Sequence, residues 1–169
     1  MNRRRTLLIP VYNYLTFIAQ EDGTFSFTSS ISSNTISYST NRGLTWTTPA
    51  SSVTISTIAT GDKVLWKGNM TPISGSGIGT FSSTSNFTVE GCPMSLLYDD
   101  NFIGQADLTG KDYAFYALFS GCTGATSVEN LSLPATTLAE SCYRSMFNGC
   151  TSLTTAPSIL PATTLAEGC

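Results

Sequence analysis

The sequence predicts a mainly β protein with short helices, in which an N-terminal antiparallel β-sandwich runs into the start of a repeat solenoid. Three observations carry this. From Tyr14 to about Val89, apolar and polar residues alternate with period two in short runs separated by turn residues. Toward the C-terminus the block LPATTLAE begins at Leu133 and again at Leu160, 27 positions apart, and Cys142 recurs as Cys169. Phe119-Ser-Gly-Cys122-Thr123 likewise returns as Phe147-Asn-Gly-Cys150-Thr151, at an offset of 28. A unit of that length cannot bury its own apolar face, so neighbouring units must stack. The expectation is therefore the front part of a longer solenoid, or a last turn packed against something else.

Taken in order, residues 1–13 form a basic arm. Arg3, Arg4 and Arg5 precede an apolar run that is broken by Pro10 and Asn13 and leads directly into strand-like sequence. The run carries no small-x-small site before Gln20-Glu21-Asp22, so it reads as an arm entering the first strand and not as a signal peptide. Residues 14–90 read as the sandwich. Phe25 and Phe27 alternate with Thr24, Ser26 and Thr28; Ile36 and Tyr38, Val53 and Ile55, and Val64 and Trp66 repeat the pattern. Turns separate them at Glu21-Asp22-Gly23, Asn41-Arg42-Gly43, Thr60-Gly61-Asp62 and Gly75-x-Gly77-x-Gly79. Residues 91–110 read as a connector, with Met94, Leu96, Leu97 and Tyr98 placed to plug the open end of a stack. Residues 111–169 hold the repeats. Leu138, Cys142, Met146 and Cys150, with Phe147 beside them, follow one face of a short helix. Ala114, Leu118, Phe119 and Cys122 do the same one unit earlier. Extended pieces at Ser127–Leu133 and Thr155–Leu160 end at Pro134 and Pro161, which have no N–H to donate.

The run Leu133-Pro134…Leu138…Cys142…Met146-Phe147…Cys150…Leu153 resembles the BspA-type (Treponema pallidum-type) leucine-rich repeat. Cys142 stands where that family has isoleucine and Met146 where it has alanine, and both exchanges stay apolar. The earlier unit departs further, with Ala125 in the place of Leu153 and Gly110 in that of Leu138, and reads as a degenerate capping turn. The resemblance spans roughly residues 107–169. It implies a leucine-rich-repeat solenoid after the sandwich, incomplete at the C-terminus. The LPATTLA wording and the segment YLTFIAQEDGTFSFTSS…ISYSTNRGLTW…KVLWKG also resemble proteins of gut Bacteroidales and of their phages and prophages, which implies a surface or virion protein.

Charged residues make up only 11% of the chain. The formal net charge is −3, and since Arg3, Arg4 and Arg5 contribute +3, the rest carries −6. That balance argues against broad contact with nucleic acid phosphates. No apolar run has the length to span a bilayer. There is no histidine, which removes Ser-His-Asp and Cys-His catalysis and the commonest zinc ligand. The five cysteines include no CxxC pair, and four of them sit at repeat-equivalent positions, so they read as small buried apolar residues. Glu21-Asp22 and Asp99-Asp100 are adjacent pairs whose side chains diverge on a strand, unlike the acid and nucleophile of a glycosidase. Ser39-x-Asn41-x-Gly43-x-Thr45-Trp46 resembles the Asp-box with Asn for Asp. A single copy implies a hairpin in which the Asx side chain closes the turn and the Trp packs beneath it.

These readings lead to an expected function: a non-enzymatic phage virion structural protein, a tail or head fibre or appendage, that attaches to a bacterial host. The alternative is a leucine-rich-repeat adhesin of the bacterial cell surface. No catalytic, metal or cofactor residue is assigned. Arg3, Arg4 and Arg5 have two readings, a loose solvated tail or a docking arm that would join the chain to other virion or surface proteins. A host surface glycan or protein is the expected target, and the chain is expected to be a homo-oligomer.

Overall fold

A computed structural model describes residues 13–169, and the arm with Arg3, Arg4 and Arg5 lies outside the described residues. The fold is mainly β, with two sheets and one short helix. The strands are β1 (Leu15–Ala19), β2 (Gly23–Thr28), β3 (Ile36–Ser39), β4 (Val53–Ile58), β5 (Lys63–Gly68), β6 (Thr80–Ser83), β7 (Phe87–Gly91) and β8 (Ala125–Leu131). One sheet runs β3-β5-β1-β7-β8 and the other β4-β2-β6. Period two decides which side chains enter the core. Leu15, Phe17 and Ala19 of β1, Val64 and Trp66 of β5, and Phe87 and Val89 of β7 are buried from the first sheet. Phe25, Phe27 and Phe81 answer from the second. Phe17 is the hinge of this layer, with its ring 5.3 Å from Phe25, 4.7 Å from Phe81 and 4.9 Å from Phe87.

The sheet expected within residues 14–90 takes its fifth strand from beyond them. β8 pairs with β7 in parallel, Glu90 opposite Asn130 and Gly91 opposite Leu131, so the sheet is mixed and not wholly antiparallel. Gly91 sits at φ +84 with the Tyr14 carbonyl against its Cα, leaving no room for a side chain. The connector supplies the one short helix, α1 (Ser95–Tyr98). Met94, Leu96 and Leu97 are buried, but α1 packs against β5, and the Ser95 hydroxyl bridges Leu15 N–H and the Trp66 carbonyl. The residues that follow meet both the sheets and the connector: Phe81 N–H donates to the Leu118 carbonyl at 2.8 Å, and Thr136 N–H donates to the Ala106 carbonyl at 2.9 Å.

Residues 111–122 and 139–150 correct the expected helices. They are two coils of consecutive turns, laid one on the other. Tyr113, Ala117 and Gly121 have positive φ, as do Ser141, Ser145 and Gly149. Between them every second N–H closes a turn on the residue three before, as Tyr116 does on Tyr113 and Cys142 on Ala139. The intervening N–H groups leave the coil. Those of Tyr113, Phe115, Ala117, Phe119 and Gly121 donate to the carbonyls of Glu140, Cys142, Arg144, Met146 and Asn148, at 2.7–3.0 Å. An α-helix would keep these donors for its own carbonyls. The ladder between coils takes them, and the apolar spacing of four that suggested a helix belongs to a four-residue turn.

The coils share the core of the sheets. Phe119 is 1% exposed. Its ring is 5.8 Å from Phe81 below and 5.6 Å from Phe147 above, with interplanar angles of 18° and 2°. Phe115 stacks on Tyr143 in the same way, at 5.7 Å and 10°. The cysteines follow this order. The Cys122 thiol donates to the Phe81 carbonyl and the Cys150 thiol to that of Phe119, one layer up. Cys92, Cys122 and Cys142 are buried, Cys150 is half-buried and Cys169 is exposed, and all five are free thiols. Burial pushes the Cys122 and Cys142 thiols up to about 12 and Cys92 to about 11. Among the described residues no helix is long and apolar enough to cross a membrane.

Candidate functional site

The alternation that sends Val64 and Trp66 inward sends Lys63, Leu65 and Lys67 to the outer face of the five-stranded sheet. Thr16 of β1 and Glu90 of β7 face the same way. The registers place Ser39, Leu65, Thr16, Glu90 and Asn130 in one row across all five strands. Over this row lies an open groove of about 960 Å³, lined also by Tyr14, Arg42, Trp46 and Asp100. A volume of that size falls in the range of small-ligand sites.

One wall of the groove is the turn after β3. Asn41 closes it as its Asx pattern predicts. Its Oδ1 accepts from the Ser39 hydroxyl at 2.8 Å and from Thr45 N–H at 3.0 Å, and its Nδ2 donates to Thr45 Oγ1 at 2.8 Å. Arg42 follows at φ +62 and Gly43 at φ +82. Trp46 returns beneath them, edge-on to Tyr14 at 4.9 Å. Hairpin and sheet are thus joined through an aromatic contact that also forms the groove wall.

A charge cluster fixes the other side of Trp46. Lys67 Nζ lies 4.6 Å from the Trp46 ring centroid and 2.8 Å from both Asp99 Oδ1 and Asp100 Oδ1. The Tyr14 hydroxyl donates to Asp100 Oδ1 at 2.7 Å. Burial would raise the Asp100 carboxyl, but the bonds from Lys67 and Tyr14 outweigh it and hold the pKa below the ordinary value. Burial likewise pulls Lys67 down, and its bonds to Asp100 and Asp99 more than restore it, so its pKa stands above the ordinary value. Lys63 pairs with Glu90 at 2.9 Å. Of the three cations lining the groove, Arg42 alone has no carboxylate partner among the described residues, and it is exposed.

Of the carboxylate pairs considered from sequence, Asp99 and Asp100 lie in a 3-10 turn and not on a strand, and they converge where they were expected to diverge. Asp99 and Asp100 share Lys67, while Asp22 Oδ1 accepts from Thr60 N–H and hydroxyl on another face. Among the described residues no group of three or more Cys, Asp or Glu side chains is placed to hold a metal ion. A second hollow, about 680 Å³ and mostly apolar, opens over the last coil between Tyr143, Met146, Phe147, Leu160 and Leu165.

Sequence reasoning placed no binding residue in the outer groove. Lys63-x-Leu65-x-Lys67 opposite Val64 and Trp66 was the available signal, since period two puts both lysines on one outer face. What the pattern lacked was the partner strands and the hairpin that closes over them. Compared with known proteins, the chain matches no family model, no curated protein sequence and no solved structure.

Proposed function

We propose that the chain is a non-enzymatic attachment module of a phage virion appendage, a tail or head fibre, acting on the surface of a bacterial host. The observation that carries this reading is the groove on the outer sheet face, with Trp46, Arg42 and Asn130 facing an open surface on a block whose sheets and coils share one core. Its carboxylates Glu90 and Asp100 are both held by lysines, an arrangement suited to shaping a surface and not to moving protons at a substrate. The coil ladder and the stacked Phe119 and Phe147 support reading residues 111–169 as leucine-rich-repeat units of the BspA type. On that reading the face carrying Leu160 and Leu165 is where a repeat of this kind seats its neighbour. Arg3, Arg4 and Arg5 would dock the chain on another virion protein, and several copies on one particle would add avidity to a weak single contact.

The alternative, a cell-surface leucine-rich-repeat adhesin, rests on the same coils. Antibodies to the purified chain separate the two. Gold particles on virion appendages support the first reading; labelling of intact cells with none on virions supports the second. Purified chain that neither binds bacterial cells saturably nor slows adsorption of the particles would overturn attachment altogether. Hydrolysis of a glycan by the purified chain would overturn the non-enzymatic part.

A further inference from the structure

The chemistry of the outer groove names a class of ligand, and the inference rests on the attachment reading above. We propose that the groove binds an acidic saccharide, with the exposed part of the half-buried Trp46 ring as its apolar contact and the Arg42 guanidinium as partner of a carboxylate.

Four features converge. The site is a sheet face and not an edge, so it offers no row of free backbone donors to an extended peptide, and recognition falls to side chains. The hydroxyl of Ser132 and the amide of Asn130 are exposed on its floor and make no hydrogen bond within the described residues, leaving donors and acceptors at spacings a polyhydroxylated ligand can use. Trp46 is half-buried, with the Lys67 ammonium over its ring and Tyr14 edge-on to it, so the part that remains exposed in the groove is a fixed apolar surface that loses little entropy on binding.

The fourth feature is charge. Lys63 and Lys67 are consumed by Glu90, Asp99 and Asp100, and Arg42 remains as the one cation lining the groove with no carboxylate partner among the described residues. A guanidinium holds a carboxylate through two parallel bonds, which suits a single acid group set among neutral hydroxyls. A nucleic acid, with a charge on every unit, would instead meet Glu90 and Asp100 along the same groove and an acidic body around it. Arg42 also occupies the left-handed region at φ +62, where asparagine or glycine sits more easily, so the turn alone does not account for an arginine there.

The test is titration calorimetry of the purified chain against soluble uronate- and sialate-bearing oligosaccharides, each paired with its carboxyl-reduced or desialylated neutral form. The expected result is binding of at least one acidic form, weakened tenfold or more in its neutral counterpart and to a similar degree by Arg42→Asn, a residue that keeps the left-handed turn. Asn130→Ala, which leaves the turn untouched, weakens the same binding severalfold. Failure of every acidic form to bind, equal binding of acidic and neutral forms, or an unchanged affinity in Arg42→Asn would each overturn the proposal. Labelled chain on host cells separates this from attachment itself. Cell binding that Arg42→Asn leaves intact overturns the groove and leaves attachment standing. Acid-sugar binding without any cell binding overturns attachment and leaves the groove standing.

Discussion

Replacing Phe119 by alanine removes the ring that joins the sheets to the coils. Phe119 is 1% exposed, stacked between Phe81 and Phe147 and 5.9 Å from Phe17. Its backbone bonds, from its N–H to Met146 and to its carbonyl from Cys122 and Cys150, do not depend on the side chain. The loss is therefore one of burial and packing, and a fully buried Phe→Ala change costs about 3–5 kcal/mol. For a chain of this size that lowers Tm by roughly 6–20 °C. Phe147→Ala removes a half-buried ring with one stacked neighbour and should cost about 1–2 kcal/mol, on the smaller area lost. Urea unfolding followed by both far-UV circular dichroism and tryptophan fluorescence measures each. A single coincident transition displaced in Phe119→Ala bears out a shared core. A cost below about 1 kcal/mol, on a scale where surface changes give half that, would refute the reasoning. So would a separate early transition in the unsubstituted chain.

Three further outcomes follow from the same geometry. In the native chain at pH 8, iodoacetamide should label Cys169 first and Cys150 more slowly, with Cys92, Cys122 and Cys142 protected until urea is added; fast labelling of Cys122 or Cys142 would contradict their burial. Asn41→Ala loses the bonds to Ser39 and Thr45 and should cost about 1–2 kcal/mol in urea unfolding, whereas Asn41→Asp keeps the acceptor and loses only the Nδ2 donor, so an equal cost in both would show that the side chain does not close the turn. The Asp100 carboxyl has a folded pKa below its ordinary value of 3.8, so its contribution is present above that value and is lost as pH falls through the folded pKa. Asp100 is largely exposed, so the stability gap between the native chain and Asp100→Asn should be about 0.5 kcal/mol at pH 6, in the range of exposed pairs, and should close as the pH falls through the folded pKa. A gap that persists in acid would assign it to something other than the charge.

The strands were legible because burial on one face writes itself into the sequence with period two. Phe25 and Phe27, Val64 and Trp66 alternate with polar residues, and those are the residues that meet in the core. The turn at Asn41-Arg42-Gly43 was legible for a local reason as well, since the Asn41 side chain bonds only to neighbours two and four residues away. The repeat at offsets of 27 and 28 marked which residues would stack, and Phe119 on Phe147 follows from it. The shape of each unit did not. Cys142, Met146 and Cys150 recur every fourth residue, and a helix and a ribbon of four-residue turns both put such residues on one side. Only the destination of the alternate N–H groups separates them, and that destination lies in the next coil. The outer groove was hidden for a related reason. Thr16, Leu65, Glu90 and Asn130 come together by pairing across four strands, and β8 joins the sheet in parallel from beyond the expected boundary.

Amide hydrogen exchange tests the central claim, that sheets and coils are one cooperative body, most directly. The N–H groups of Phe115, Ala117 and Phe119 donate across the coils to Cys142, Arg144 and Met146. The account predicts that they exchange as slowly as those of Phe17 and Val64 in the sheet, at the free energy of global unfolding. Exchange of the three within seconds at neutral pH, while the strands stay protected, would contradict it.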